Sequence, residues 1–174
     1  GGPAPEGAFA MNVADQLEHL PVLAERAVAA LRPESAARVV DATFGRGGHS
    51  RRILARLGAG ASLLALDRDP EAAAFGERAF GDDSRFTMRR LPFSRLGEAV
   101  AAAGWDDGVD AVLADLGLSS PQLDDPARGF SFRESGPLDM RMDPDAGISA
   151  AQWLATVEPA ELERVLRDYG EERF

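Results

Sequence analysis

Arg38 to Ser50, RVVDATFGRGGHS, decides how this chain is read. Arg38-Val39-Val40-Asp41 is a short apolar run closing on an acid, the pattern of a buried strand end. Gly45, Gly47 and Gly48 then crowd a turn, and Ser50 to Leu57 runs on with helical character until Gly58. In a strand, glycine turn and helix the backbone can approach a ligand closely, and the helix start offers unpaired N–H groups. A dinucleotide fingerprint would place a third glycine at position 50, where Ser50 stands. Alone, the turn has two readings: a ligand cradle, or a tight turn without a ligand.

The same alternation extends on both sides. Upstream, Pro21 suits a first helical residue, and Val22, Leu23, Val28 and Leu31 form an apolar stripe ending at Pro33. Downstream, Ser62 to Leu66 is a second strand closing on Asp67, and Pro70 opens a helix through about Phe80. Arg85 to Leu91 is a third, less apolar strand. Ser94 is expected to cap a helix through Ala103, and Asp110 to Asp115 is the fourth strand. Strands alternating with helices of this length predict βαβ units and a parallel sheet. The pattern then changes: Ser149 to Ala155 and Pro159 to Tyr169 are short helices with no fifth strand after them. The expected architecture is α/β, an incomplete doubly wound parallel sheet followed by helices. Its divisions are a leader at 1–16, a core at 17–145 and helices at 146–174.

Composition narrows the chemistry. The 174 residues carry a formal charge of −10, which argues against broad adhesion to nucleic acid or anionic membrane, and 45% hydrophobic residues suffice for a core. There is no apolar run long enough to span a membrane and no secretory signal pattern, and Met11 could serve as an initiator. Cysteine is absent, which excludes disulfides, thiolate zinc sites and cysteine nucleophiles within these residues. Lysine is absent too, all 19 cations being arginine, so there is no P-loop lysine, Schiff base or Tyr-x-x-x-Lys pair. One histidine at position 49 without a second ligand nearby gives no reason to expect a metal; it reads as a helix-start residue facing solvent.

Two acids and one loop point to a site. Asp67 lies 22 residues after Gly45 at a strand end, where a carboxylate can accept bonds from both hydroxyls of a ribose. Its other reading is a helix cap before Pro70, a role Asp69 could equally fill. Asp115 ends the fourth strand beside the expected switch point, or caps the turn at Gly117. Phe93 follows the third strand and either flanks an adenine or fills core. From Leu113 to Met142, LADLGLSSPQLDDPARGFSFRESGPLDMRM obeys no period for most of its length. A stretch this long inside a domain is functional or disordered, and Phe130, Phe132, Leu138, Met140 and Met142 supply anchors that a solvated linker lacks.

At these residues the chain resembles a known family. DATFGRGGHS, ALDRDP, DLGLSSPQLDDPARGFSF and GPLDMRMD closely match the RsmH (MraW) family, bacterial enzymes that N4-methylate a cytidine in the decoding region of 16S ribosomal RNA. The resemblance runs from about Leu17 to Phe174, and RGFSF…GPLDMRMD is its most specific part. It implies a Rossmann-like class I S-adenosylmethionine-dependent methyltransferase fold and the start of a helical insertion domain. It implies a cofactor pocket lined by Gly47, Gly48, His49, Asp67, Phe93, Asp115 and Gln122. It implies a cytoplasmic enzyme acting on 16S rRNA, within the small ribosomal subunit or free; the oligomeric state, a homodimer included, stays open. Such enzymes continue past a helical insertion to finish the sheet, so this chain is expected to be less stable than a complete parent and to methylate RNA poorly.

Asp115 is the first candidate to accept hydrogen bonds from the target amine, with Ser119, Ser120 or Gln122 assisting; whether it serves the cofactor, the base or both stays open. C5 methylation would need a thiolate, whereas an exocyclic amine needs alignment and no covalent intermediate. Arg128 to Met142 is expected to fold over the pocket and receive the cytidine. Arg128, Arg133 and Arg141 would contact phosphates, and Phe130 and Phe132 would hold the base. The plainer alternative makes both phenylalanines anchors and pairs the arginines with Asp124, Asp125, Asp139 and Asp143; residues 124–145 hold three arginines against six acids. Two rivals from other classes share the glycine turn: an NAD-dependent oxidoreductase fragment and a non-catalytic truncated Rossmann module. Titration with S-adenosylmethionine and with NAD separates all three.

Overall fold

The computed structural model describes residues 23–172, so the leader and the helix start expected at Pro21 and Val22 lie outside it. The chain forms two compact units that part between Gly117 and Leu118.

In the first unit, four strands are all parallel: β1 (Arg38–Asp41), β2 (Ser62–Asp67), β3 (Phe86–Arg90) and β4 (Ala111–Leu113), in the order β3-β2-β1-β4. Val39 pairs with Leu63 and Ala111, and Asp41 with Ala65 and Leu113. Asp110 ties the other end, its carboxylate accepting the N–H groups of Ala37 and Arg38 at 2.7 and 2.8 Å. Among the described residues the sheet has no fifth strand.

The helices explain why β1 and β2 read as unbroken apolar runs. A parallel sheet is covered on both faces, so alternate residues enter different cores. Val39, Leu63 and Ala65 join Ile53, Leu54, Phe75 and Phe80 from α2 (Gly48–Arg56) and α3 (Pro70–Phe80), with Val28 from α1 (Ala24–Leu31). Val40, Leu64 and Leu66 join Ala99 of α4 (Leu96–Ala102) and the rim of Trp105 and Val109. Each fully buried Leu, Ile or Val contributes about 1.5–3 kcal/mol relative to exposure. Asp69 caps α3, accepting the Glu71 N–H at 3.0 Å, with Pro70 opening the helix. Ser94 does not cap α4: it sits inside a 3-10 turn, Phe93–Arg95, that leads into the helix.

The second unit contains structure that the sequence pattern hid. α5 (Ser120–Asp124) and a 3-10 turn, Pro126–Arg128, interrupt the long loop. Asp139 and Leu138 accept the N–H groups of Ala150 and Ala151 at 2.7 and 2.9 Å, joining the loop to α6 (Ala150–Leu154). These bonds make the loop part of the helical unit, so the compact units divide ahead of the change in pattern near residue 145. α7 (Pro159–Gly170) follows, with Leu162 and Val165 half-buried.

Candidate functional site

Because every strand is parallel, Asp41, Asp67, Phe93 and Asp115 all emerge at the carboxyl edge of the sheet, where open α/β sheets receive ligands. The glycine turn rises there after β1. Gly45 and Gly47 both have positive φ, 55° and 73°, which glycine adopts without the penalty an L side chain carries. Their surroundings differ. A Cβ on Gly47 would lie 2.7 Å from the Phe80 ring and 2.9 Å from that of Phe44, whereas one on Gly45 would meet nothing within 4 Å. Gly47 is therefore required by the core behind the turn, and Gly45 borders open space in front of it.

Asp67 holds this turn in place. Its Oδ2 accepts the Gly45 N–H at 2.8 Å and its Oδ1 the Asp69 N–H at 2.9 Å. Burial pushes the Asp67 carboxyl above the ordinary carboxylate range, while those two N–H groups pull it back. Each carboxylate oxygen keeps a further acceptor site. Phe93 is no core residue: it is 52% exposed just past β3. Arg68 is exposed as well.

The opposite wall is a cluster that the sequence did not reveal. Asp41 is fully buried; its Oδ2 accepts the Ser50 hydroxyl at 2.7 Å and its Oδ1 the Thr43 N–H at 3.2 Å. Burial raises the Asp41 carboxyl, opposed by these two bonds. Ser50, absent from the dinucleotide pattern as its third glycine, is buried here as a donor. His49 does not face solvent as expected: it is 6% exposed, with Nε2 3.3 Å from Asp115 Oδ2 and a buried Nδ1 that has no partner among the described residues. The Asp115 N–H donates to Thr43 Oγ1 at 2.7 Å, and its side chain is 56% exposed. The available signal was an acid ending β1 with a serine nine residues on, one turn into the helix. Its meaning needed the helix to be placed against the strand end.

S-adenosylmethionine, implied by the resemblance, carries a carboxylate, an amine, a ribose diol and an adenine. The residues at this edge fit such a group. There is backbone room at Gly45, a helix start whose leading N–H groups lack intrahelical partners, an Asp67 carboxylate with spare acceptor sites, and an open Phe93 ring. The orphaned His49 Nδ1 is a buried polar atom still to be accounted for. Among the described residues no cluster of His, Asp and Glu is arranged to hold a metal, and no helix is long and apolar enough to cross a membrane.

The remaining expected residues lie in the second unit. Gln122 is buried, and its Oε1 accepts the Ser119 N–H at 3.0 Å in the capping box of α5. Arg128 is buried and donates to the Arg141 and Met142 carbonyls at 3.1 and 3.0 Å. Arg141 makes a two-point ion pair with Asp139, at 2.9 and 2.7 Å. Arg133 is exposed, and among the described residues its guanidinium engages no side chain. The phenylalanines divide: Phe130 is buried at 9%, and Phe132 is fully exposed. The loop is tightly folded, since a Cβ on Gly129 would come within 2.5 Å of the Pro137 carbonyl and one on Gly136 would collide with that of Pro126.

Comparison with known proteins places this geometry. Ribosomal RNA small subunit methyltransferase H of Thiobacillus denitrificans is 62% identical over 156 residues, 90% of this chain and 49% of that protein. The proteins of the same name from Acidithiobacillus ferrooxidans and Thioalkalivibrio sulfidiphilus are 58% and 56% identical, each over 90% of this chain and 50% of theirs. The chain thus spans about half the length of the curated relatives it matches. A putative O-methyltransferase from Klebsiella pneumoniae superposes with a TM-score of 0.46 at 20% identity, over 63% of this chain and 54% of that one, a likeness too distant to carry weight. The model of the MraW methylase family matches residues 16–174, which takes in the glycine turn, both strand-end carboxylates and the folded loop, and the chain belongs to that family.

Proposed function

We propose that this protein is an S-adenosylmethionine-dependent methyltransferase of small-subunit ribosomal RNA that methylates the exocyclic N4 of a cytidine in the decoding region of 16S rRNA. One observation carries the reading. The chain is 56–62% identical to proteins named for methylation of small-subunit ribosomal RNA, and the matched span holds the glycine turn with Asp67 and Asp115 at one sheet edge.

When bound, the cofactor supplies an electrophilic methyl group on a sulfonium. The open side of the turn at Gly45, with Gly47 and Gly48, receives its amino-acid end at the start of α2, where the helix dipole favours a carboxylate. Asp67 accepts from the ribose hydroxyls with its remaining lone pairs, and Phe93 flanks the adenine. His49 belongs to the same cofactor set. Asp115 accepts an N–H of the target amine, which turns the amine lone pair toward the methyl group. It also favours the positive charge that the nitrogen bears until an N–H proton passes to the Asp115 carboxylate, which completes the transfer.

RNA engages the second unit through Arg133 for phosphate and Phe132 for a base face, both of them exposed. Arg128 and Arg141 contribute by shaping that loop. With a net charge of −10 on the chain, the grip on RNA is local rather than spread over the surface. The substrate is 16S rRNA within the small ribosomal subunit, in the cytoplasm. The buried Ser50–Asp41 bond, in place of a third glycine, disfavours a dinucleotide reading.

The test is methyl transfer from labelled S-adenosylmethionine by the full-length protein to 16S rRNA and to small subunits lacking the modification. The nucleoside product is then identified by mass spectrometry. N4-methylcytidine supports the proposal. Label on cytosine C5, on a protein or on a small molecule overturns it, as does calorimetric binding of NAD without S-adenosylmethionine.

A further inference from the structure

Asp115 lies past the end of β4, and its exposure shows that packing does not hold it. Leu113, the last strand residue, accepts the Ala42 N–H at 2.8 Å, and beyond it Ala114, Asp115 and Leu116 are all exposed. What fixes Asp115 is a ring of hydrogen bonds. The Asp115 N–H donates to Thr43 Oγ1 at 2.7 Å, and the Thr43 N–H donates to Asp41 Oδ1 at 3.2 Å. Asp41 Oδ2 accepts from Ser50 at 2.7 Å, and next to Ser50 in α2 His49 brings Nε2 to 3.3 Å from Asp115 Oδ2. The ring closes through the ends of β1 and β4 and the start of α2. Its anchor, Asp41, is fully buried.

The His49 ring has one orientation that suits this ring of bonds. Its Nδ1 is buried without a partner among the described residues, so the tautomer that leaves Nδ1 bare and places the proton on Nε2 avoids burying an unmatched donor. His49 then donates to Asp115 Oδ2, and among the described residues no hydrogen bond engages Oδ1 of this half-exposed side chain.

We propose that Thr43 is a positioning residue: with His49 it clamps Asp115 at its backbone N–H and at Oδ2, so that Asp115 presents a single oxygen, Oδ1, to the target amine. This rests on the reading above that Asp115 meets that amine. Thr43 touches neither cofactor nor base and acts through Asp115. A displacement of about 1 Å at a reacting group can cost about a hundredfold in rate. The loss of the Thr43 hydroxyl therefore falls on turnover and not on ligand affinity.

The experiment uses the full-length protein and compares Thr43→Val, Thr43→Ala and Thr43→Ser, each alone and combined with Asp115→Asn. Thr43→Val and Thr43→Ala are expected to lower kcat by about 10- to 100-fold, with the KM for RNA and the calorimetric Kd for S-adenosylmethionine within about threefold of wild type. Thr43→Ser, which restores the oxygen, brings kcat back to within about threefold. On the Asp115→Asn background, Thr43→Val costs little more, because the two act as one unit. Wild-type kcat in folded Thr43→Val overturns the inference, as does full additivity with Asp115→Asn. Unfolding of both hydroxyl-free variants overturns it too, by giving Thr43 a folding role. If Asp115→Asn itself keeps wild-type turnover, the reading of Asp115 has failed, whatever Thr43 does. If Asp115→Asn is inactive and Thr43→Val keeps wild-type turnover, only the positioning role has failed.

Discussion

Replacing Gly47 by alanine separates the two faces of the glycine turn. Gly47 has φ 73°, so any L side chain there bears left-handed backbone strain of about 1–2 kcal/mol. Its Cβ would also press on Phe80 at 2.7 Å and on Phe44 at 2.9 Å. Neither ring can step aside freely, because Phe44 packs edge-on to Phe80 at 5.7 Å and Phe80 lies 5.2 Å from Phe86. Overpacking of this kind costs about 1–3 kcal/mol, so Gly47→Ala is expected to destabilise the first unit by about 2–5 kcal/mol. Gly45→Ala is the control: φ 55° imposes similar strain, but its Cβ meets nothing, leaving about 1–2 kcal/mol. Native-state hydrogen exchange at the amides of Val39, Val40 and Ile53, all fully buried, reads local opening without assuming one cooperative transition. Gly45→Ala, whose methyl enters the open side, is expected to lose more S-adenosylmethionine affinity per kcal/mol of stability lost than Gly47→Ala. Equal protection losses in the two variants would refute the assignment of Gly47 to the core face, and a larger affinity loss per kcal/mol of stability lost in Gly47→Ala would refute the assignment of Gly45 to the ligand face.

Three other outcomes follow from the same contacts. Asp67→Ala, which releases the Gly45 and Asp69 N–H groups and the ribose acceptor together, should weaken S-adenosylmethionine binding by about 1–3 kcal/mol in calorimetry; unchanged affinity in a folded variant removes Asp67 from the ribose role. Arg141 holds the Asp139 carboxyl down at about 2, from an ordinary 3.8, so this pair supports the second unit above pH 3.8 and loses its contribution as pH falls toward 2. Asp41 runs the other way: its raised carboxyl contributes stability at low pH that is lost as pH rises through that raised value. Carboxyl carbon shifts followed by NMR check the pair, and an Asp139 midpoint near 3.8 contradicts it. Arg133→Ala should weaken RNA binding and reduce its salt slope by about 1, while Arg141→Ala, which breaks the pair with Asp139, should destabilise the loop and leave the slope alone; anisotropy of labelled RNA at several salt concentrations distinguishes the two, and identical slopes in wild type and Arg133→Ala remove the phosphate contact.

The sequence by itself determined the sheet and the ends of its strands. β1 and β2 were legible because a strand buried on both faces is apolar without interruption, and glycine, proline and aspartate punctuate its ends. Asp67 closes β2, and Asp115, expected to end the fourth strand, follows β4 by two residues because the strand stops at Leu113; both acids could still be singled out before any contact was known. The family resemblance rested on motifs, which are local by nature.

Tertiary structure decided everything that depends on residues far apart in the chain. Thr43 and Asp115 are 72 positions apart and His49 and Asp115 66, and they meet because β4 pairs alongside β1 at the switch of strand order. Gly45 and Gly47 are alike as letters, but Phe80 of α3 and Phe44 of the turn fill the space behind Gly47, and the space at Gly45 is open. Arg133 and Arg141 share one acidic neighbourhood, and only the folded loop gives Arg141 to Asp139 and leaves Arg133 exposed. Phe130 and Phe132 differ most, one buried and one bare, two residues apart in a segment with no period to predict it. Local pattern records whether a residue must avoid water. Which partner it meets is set by chain closure, and no window of sequence contains that.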